Sequence, residues 1–529
     1  MTARQFLRPL FAILGVAIGV AACNGAPSPE PAVSVFELEE ATVEHLQEAM
    51  SSGRLTSRRI TELYLARIEA IDRRGPALGS VIEINPDALM IADALYRERR
   101  ENGPRGPLHG IPILIKDNID TADRMMTTAG SLALVGPAPA KDAFIVERLR
   151  EAGVVLLGKT NLSEWANLRS MKAASGWSAR GGLVKNPYAL DRNACGSSSG
   201  TGAAIAANLA TIGIGTETDG SIVCPSSVNG LVGIKPTVGL TSRSGIVPIS
   251  RSQDTPGPMA RTVRDAAILL SAMTGVDARD AATSASVGRV PANFAAGLDA
   301  HALKGTRIGV LRGQFVGYSP PADRVFDAAV ARLKELGAEL VDPAELPNAG
   351  KYDASELEVM LYEFKADLNS YLATRQGLPV KTLADVIAFN ERNPERELPY
   401  FGQELFLLAE KKGPLTDQAY KSALQNGLRL SREQGIDLAL KTHRLDALVA
   451  LTTSPAWTTD LVNGDHYLGS SSTPAAVAGY PSITVPAGYA HGLPVGVSFF
   501  GTAWSEATLI GLAYSFEQGG EARKVPGLK

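Results

Sequence analysis

Cysteine and histidine are scarce in this sequence, with three Cys and six His among 529 residues. The histidines (His45, His109, His301, His443, His466 and His491) are scattered, and no C-x-x-C, H-x-x-x-H or H-E-x-x-H spacing occurs. A zinc site and a disulfide framework are therefore disfavoured. An excess of one charge is missing too: 52 basic residues face 55 acidic ones, a net charge of -3. No strong field exists to draw in a nucleic acid backbone or an anionic membrane, so nucleic acid is not an expected partner. No opening segment supplies the ~20 apolar residues of a membrane span; Leu10 to Ala22 holds only thirteen uncharged residues. What remains is a globular composition, 45% hydrophobic and 20% charged, with 52 Gly and 32 Pro to punctuate it.

The short apolar run reads as a targeting segment rather than as fold. Arg4 and Arg8 precede it, and it ends Val20-Ala21-Ala22-Cys23, which resembles the bacterial lipobox. That reading makes residues 1–22 a lipoprotein signal peptide and Cys23 the lipidated residue. Residues 23–36 become a flexible tether containing the polar, Pro-rich stretch Asn24 to Pro31. Asn24 is not the aspartate that marks inner-membrane retention. The expectation is an exported lipoprotein of the bacterial cell envelope, in the outer membrane facing the periplasm, touching the membrane through its lipid anchor only.

From Ala41 onward helical patterns alternate with short apolar runs. Ala41 to Leu65 and Asp87 to Arg100 read as helices; Ser80 to Ile84, Ile111 to Ile115 and Val154 to Leu157 read as strands. Asp142 to Ala152 is amphipathic and stops at Gly153, directly before the strand Val154-Val155-Leu156-Leu157. An Ala-rich helix from Thr201 to Leu209 leads into a strand at Thr211 to Gly215. Further strands are expected at Arg307 to Leu311, Asp446 to Leu451, Ser482 to Pro486 and Val495 to Phe500, with a closing helix at Ser505 to Glu517. Residues 37–529 are thus expected to form a single large α/β/α domain, its central mixed β-sheet covered by helices. A helical insertion is expected at about 353–441. Its aromatics (Tyr362, Phe364, Tyr371, Phe389, Tyr400, Phe401 and Phe406) read mostly as core, with a few available to stand beside a substrate.

Chemistry concentrates in three places. Gly106 to Asn118 (GPLHGIPILIKDN) delivers Lys116 at the end of an apolar strand. Cys195 to Gly202 (CGSSSGTG) is a loop of small residues in which hydroxyls and backbone amides can converge. Gly215 to Pro225 (GTETDGSIVCP) sets Ser221 after a glycine at a sharp turn following a strand, where backbone N–H groups can surround an oxyanion. Two serine nucleophiles compete. Gly196 to Gly200 matches G-x-S-x-G, which would make Ser198 the nucleophile of an α/β-hydrolase elbow, with His109-Gly110 as oxyanion segment and Asp465 and His491 as late partners. The context opposes this, because Lys185 to Ala194 is polar and broken by Pro187 where an elbow needs a buried strand. No S-x-x-K tetrad occurs, which disfavours a penicillin-binding or β-lactamase site.

Taken together these segments resemble the amidase signature family of serine hydrolases. The likeness runs from about Ala41 to Glu517. It includes Gly158 to Glu164 (GKTNLSE), Leu231 to Val238 (LVGIKPTV), Pro481 to Pro486 (PSITVP) and Leu493 to Val497 (LPVGV). The family uses a Ser, cis-Ser, Lys triad whose nucleophile follows the cis-serine by 24 positions, the separation of Ser197 and Ser221 here. The resemblance thus implies Ser221 as nucleophile, Ser197 as the bridging serine and Lys116 as the base. It also implies Thr218, Asp219, Gly220 and Ser198 as oxyanion or substrate contacts, with no metal or organic cofactor. For the base to work, Lys116 must be neutral, and burial favours that.

The stretch departs from the commonest family pattern, Asp-x-Gly-Gly-Ser-x-Arg, by carrying Glu217, Asp219 and Val223. In this it looks most like the peptide amidase branch, which implies deamidation of C-terminal peptide amides with release of ammonia. Other small aliphatic, aryl or fatty amides remain the alternative, and a non-catalytic envelope lipoprotein a remote one. An amidotransferase component that shares the triad would need partners in the cytoplasm, which the leader opposes; no obligate protein partner is expected. Asp117 and Asn118 read as structural. Cys195 and Cys224 flank the two serines; a thiol nucleophile is disfavoured, and a disulfide between them is left open.

Overall fold

The computed structural model describes residues 36–289, 291–520 and 522–529. The chain divides into two compact units, Met1–Glu39 and Glu40–Lys529. Of the first, the described part is a turn in which the Glu39 N–H meets the Phe36 carbonyl at 2.9 Å. The expected signal peptide at 1–22, Cys23 and nearly all of the tether lie outside the described residues.

In the second unit eleven strands form one mixed sheet. In chain order they are β1 (Val81–Ile84), β2 (Pro112–Lys116), β3 (Val155–Thr160), β4 (Ile212–Glu217), β5 (Val232–Lys235) and β6 (Thr255–Ala260). They continue with β7 (Arg307–Leu311), β8 (Glu339–Ala344), β9 (Ala447–Leu451), β10 (Ser482–Ala490) and β11 (Leu493–Phe500). The spatial order is β1-β3-β2-β4-β6-β5-β10-β11-β9-β7-β8. β3, β2 and β4 run parallel, as do β9, β7 and β8; the middle of the sheet is antiparallel. This is the expected α/β architecture with its mixed sheet and helical covering.

Every residue of β2, β3 and β4 is buried. Strands covered on both faces read as continuous apolar runs, which is why these were visible in the sequence. The segment 41–65 is two helices rather than one, Val43–Ser51 and Ser57–Arg67. Gly53 at φ +74° ends the first, and Thr56 caps the second by accepting from the Arg59 N–H at 3.0 Å. Three strands lack a sequence signal. β5 is short, β6 carries Pro256 and Pro258, and β8 carries Pro343. β8 lies at the edge of the sheet, where a missing donor is tolerated. In β6 the prolines precede the point, Met259, at which pairing with β5 begins.

The segment 353–441 is helical, with long helices at Asp353–Thr374 and Gln418–Ser431. Phe364, Tyr371 and Phe406 join Trp165, Leu134 and Leu368 in one buried cluster. Phe364 and Phe406 stack at 5.1 Å between ring centres, and Phe401 packs on Trp177 at 5.3 Å. These aromatics are core, and their burial ties the helices to the body of the fold.

Candidate active site

β2 and β4 are adjacent parallel strands, so their C-terminal ends bring Lys116 beside Thr216. Lys116 is fully buried. Its Nζ donates to Ser197 Oγ at 2.7 Å, to Thr216 Oγ1 at 2.9 Å and to the Thr216 carbonyl at 3.1 Å. Asn118 Nδ2 donates to the same Thr216 Oγ1 at 2.9 Å, which fixes that hydroxyl. Loss of hydration pulls the Lys116 pKa down to about 7, against the opposing pull of the Asp254 and Glu217 carboxylates.

Ser197 follows a cis peptide bond from Gly196. A side chain at Gly196 would press into Ser163 Oγ and Asn167 Nδ2, so only glycine fits there. The Ser197 carbonyl accepts from the Ser163 N–H at 3.0 Å, which gives the GKTNLSE segment its place beside this loop. Ser198 behaves differently from the elbow reading. It is fully buried, its Oγ donates to the Thr216 carbonyl at 3.1 Å and accepts from the Thr216 N–H at 3.2 Å. Strand backbone occupies that hydroxyl, so Ser198 is held off the cavity as either nucleophile or substrate contact. The rest of the elbow set is dispersed as well. His109 is buried between the Leu95 carbonyl at 2.7 Å and the Arg105 N–H at 3.1 Å. His491 lines a cavity of about 760 Å³ that Ser198 does not reach, and Asp465 lies between that cavity and the one at Ser221.

Ser221 lines a cavity of about 480 Å³ together with Thr218, Asp219, Gly220, Ser175, Trp457 and Tyr467. Gly220, at φ +78°, makes the turn that presents it. The Ser221 carbonyl accepts from the Ser198 N–H at 3.2 Å, joining the two loops. Glu217 shapes the turn from below: its Oε2 accepts from the Ile222 and Val223 N–H groups at 2.7 and 2.9 Å. The N–H groups of Asp219, Gly220 and Ser221 meet no acceptor among the described residues. Thr218 Oγ1 donates to Asp254 at 2.6 Å, and burial pushes the Asp254 carboxyl up to about 6. A neighbouring cavity of about 580 Å³ reaches Thr216, Thr218 and Asn118 from the other side.

Cys195 and Cys224 are joined in a disulfide, with Cα atoms 5.9 Å apart. The pairing of these two cysteines, left open by the sequence, is thereby answered, and no free thiol remains at either position. The bond ties the Ser197 loop to the helix that follows Ser221. Sequence reasoning also missed Thr216, Asp254 and the cavity wall from Trp457 to Ser472. The wall had a signal in the Gly, Asp and aromatic-rich loop between two strands, but nothing in that pattern says which strand ends it will cover. The aromatics of 353–441 are absent from the cavity lining; Leu357, Met360 and Leu405 of that segment take their place. Among the described residues no group of three His, Cys, Asp or Glu side chains is arranged to hold a metal ion.

The class of molecule follows from comparison with known proteins. The family model described as Amidase matches residues 59–510, and the chain belongs to the amidase signature family. It is a hydrolase of amide C–N bonds. The chain is similar to the native peptide amidase of Stenotrophomonas maltophilia, at 52% identity and a TM-score of 0.90, with 93% of this chain and 99% of that one covered. It is 44% identical to a protein of Arabidopsis thaliana named as a probable amidase, over 93% of this chain and 92% of that protein. A glutamyl-tRNA(Gln) amidotransferase component from Alkalilimnicola ehrlichii is 33% identical, with 91% and 97% covered.

The expected location is corrected. The amidase relatives include plant and fungal proteins, from cells without a bacterial envelope. Among the described residues no helix is long and apolar enough to cross a membrane. The outer-membrane lipoprotein reading and its lipid anchor are therefore withdrawn. The lipobox rested on a four-residue pattern, and so short a pattern arises readily without the processing it suggests.

Proposed function

We propose that Ser221, Ser197 and Lys116 form a catalytic relay that deamidates peptides at a C-terminal carboxamide. Neutral Lys116 takes the Ser197 hydroxyl proton while Ser197 Oγ takes that of Ser221, and Ser221 Oγ forms a bond to the amide carbon. The oxyanion is received by the Asp219, Gly220 and Ser221 N–H groups, each such donor being worth on the order of 10²–10³ in rate. The proton returns through Ser197 to the departing nitrogen, the C–N bond breaks and ammonia leaves. Water then hydrolyses the ester by the same relay. The helices of 353–441 serve as one wall of the acyl site through Leu357, Met360 and Leu405.

The observation that carries this reading is the 2.7 Å contact between Lys116 Nζ and Ser197 Oγ in a fully buried setting. The peptide substrate is supported by the likeness to a peptide amidase that has been crystallised with the competitive inhibitor chymostatin. The test is ammonia release from an N-acylated dipeptide amide, oleamide and propionamide, with Ser221→Ala and Ser198→Ala beside the native enzyme. Ser221→Ala should abolish turnover and labelling by a fluorophosphonate, while Ser198→Ala keeps both, and the dipeptide amide should give the highest kcat/KM. Activity surviving in Ser221→Ala would sink the relay; a preference for oleamide or propionamide would sink the peptide substrate alone.

A further inference from the structure

The cavity at Ser221 is short of positive charge. Its lining holds two carboxylates, Asp219 and Asp465, and no lysine, arginine or histidine among the described residues. The two carboxylates are not equivalent. Asp465 is saturated by the Ser175 N–H at 2.8 Å, Trp457 Nε1 at 3.0 Å and Asn193 Nδ2 at 3.2 Å. Asp219 accepts from Thr473 Oγ1 at 2.7 Å through Oδ2, and the Ser472 hydroxyl also lies against its carboxylate; no cation pairs with it at salt-bridge distance among the described residues. A carboxylate on the wall of a cavity without a basic side chain favours a cationic ligand and disfavours an anionic one.

The surroundings deepen the deficit. Glu356 is buried close by and accepts from Gln253 Nε2 at 2.8 Å; burial first, and then the Asp219 carboxylate, push its carboxyl pKa up. Asp353 adds to the negative field. The nearby cation, Lys235, is shared with Glu217 and Glu506, and its Nζ is turned to the Tyr480 and Pro236 carbonyls at 2.6 and 3.2 Å.

We propose that the charge of the Asp219 carboxylate, in a cavity lined by no basic side chain, makes the Ser221 cavity select amides whose acyl portion carries an ammonium, and reject acyl groups bearing a carboxylate. The inference rests on the amidase relay and names the substrate class it serves. It also fits the direction of the reaction: hydrolysis turns a neutral carboxamide into a carboxylate inside a cavity that already holds two, which favours product departure. Specificity of this kind comes as much from repelling the wrong charge as from binding the right one.

The test uses the Nα-acetyl amides of lysine, norleucine and glutamic acid, which differ in side-chain charge. Steady-state kinetics are measured on the native enzyme, and dissociation constants by calorimetry on Ser221→Ala. Both should rank lysine above norleucine above glutamate. One unit charge at ~6–8 Å in a partly screened site supports a lysine-to-glutamate gap of at least about tenfold, carried by KM. Asp219→Asn should shrink the gap to about threefold or less, and Glu356→Gln should reduce it; if Asp219→Asn does not fold, the native ranking and Glu356→Gln still decide. Equal binding of the lysine and glutamate amides, a ranking that persists in Asp219→Asn, or no binding of any of the three would overturn the inference. Ranked binding without turnover would instead uphold it and remove the relay.

Discussion

Lys116 and Lys235 both stand at the C-terminal ends of strands in one sheet, and both are fully buried. Burial pulls their pKa values down to about 7 and about 8 respectively. Their neighbours differ in kind. Lys235 Nζ faces two carbonyl oxygens, which can only accept, and Glu217 and Glu506 favour its charged form. Lys116 Nζ faces the hydroxyls of Ser197 and Thr216, and a hydroxyl can give its proton as well as receive one. Lys159 makes the third case: its hydroxyl neighbour, Thr127, itself donates to the Ile119 carbonyl at 3.3 Å. Burial favours the neutral form of each lysine; in the proposed relay it is the Ser197 hydroxyl beside Lys116 that gives that neutrality a use.

The contrast can be broken most directly by exchanging the roles. Lys116→Met should cut kcat by roughly 10²–10⁴, the range for loss of a general base, with circular dichroism unchanged. Lys235→Met should do the reverse, lowering Tm through the stranded Glu217 and Glu506 carboxylates while kcat falls by less than about tenfold. A Lys235→Met enzyme as dead as Lys116→Met would erase the distinction between the two sites.

The disulfide sets a second, smaller test. Cys195 and Cys224 are 29 positions apart, and closing a loop of that size contributes about 3–4 kcal/mol if the effect lies in the unfolded chain. The Cys195→Ser, Cys224→Ser double variant should show that loss in denaturant titration, and the native protein should show it on reduction. Unfolding that is indifferent to reductant would deny the bond a stabilising role. Smaller still is the effect expected at Thr216. Thr216→Ser keeps the hydroxyl that anchors Lys116 and should hold kcat/KM within about twofold, whereas Thr216→Val removes it and should cost about tenfold. Equal activity in the two would mean that the anchor is unnecessary.

Much of this was legible because the motifs carry their own physics. Lys116 ends an apolar run that had to be a covered strand, and Gly196 and Gly220 mark positions where a side chain or an ordinary φ does not fit. What stayed hidden depends on the third dimension. Thr216 reads as one more strand residue until β2 is laid beside β4. The pairing of Cys195 with Cys224 needs two loops brought to within 5.9 Å, and scarcity of cysteine argued the other way. β6 was obscured by its prolines, which local pattern counts against a strand; they pair with β4, but the ladder to β5 begins only after them. The aromatics of 353–441 read mostly as core, and Phe364, Tyr371 and Phe406 are core, because a large ring gains much from burial; which of them would border a cavity, as Tyr371 does, the pattern did not say.

The most direct test of the central claim, that buried Lys116 works as a neutral base, is the pH dependence of kcat/KM for a peptide amide. Burial lowers the Lys116 pKa to about 7, so the neutral form prevails above that pH and is lost below it. Activity should rise with pH along a one-proton limb whose midpoint lies near 7, while the protein stays folded across the range. A rate that remains level down to pH 5 in a folded enzyme would contradict a lysine base.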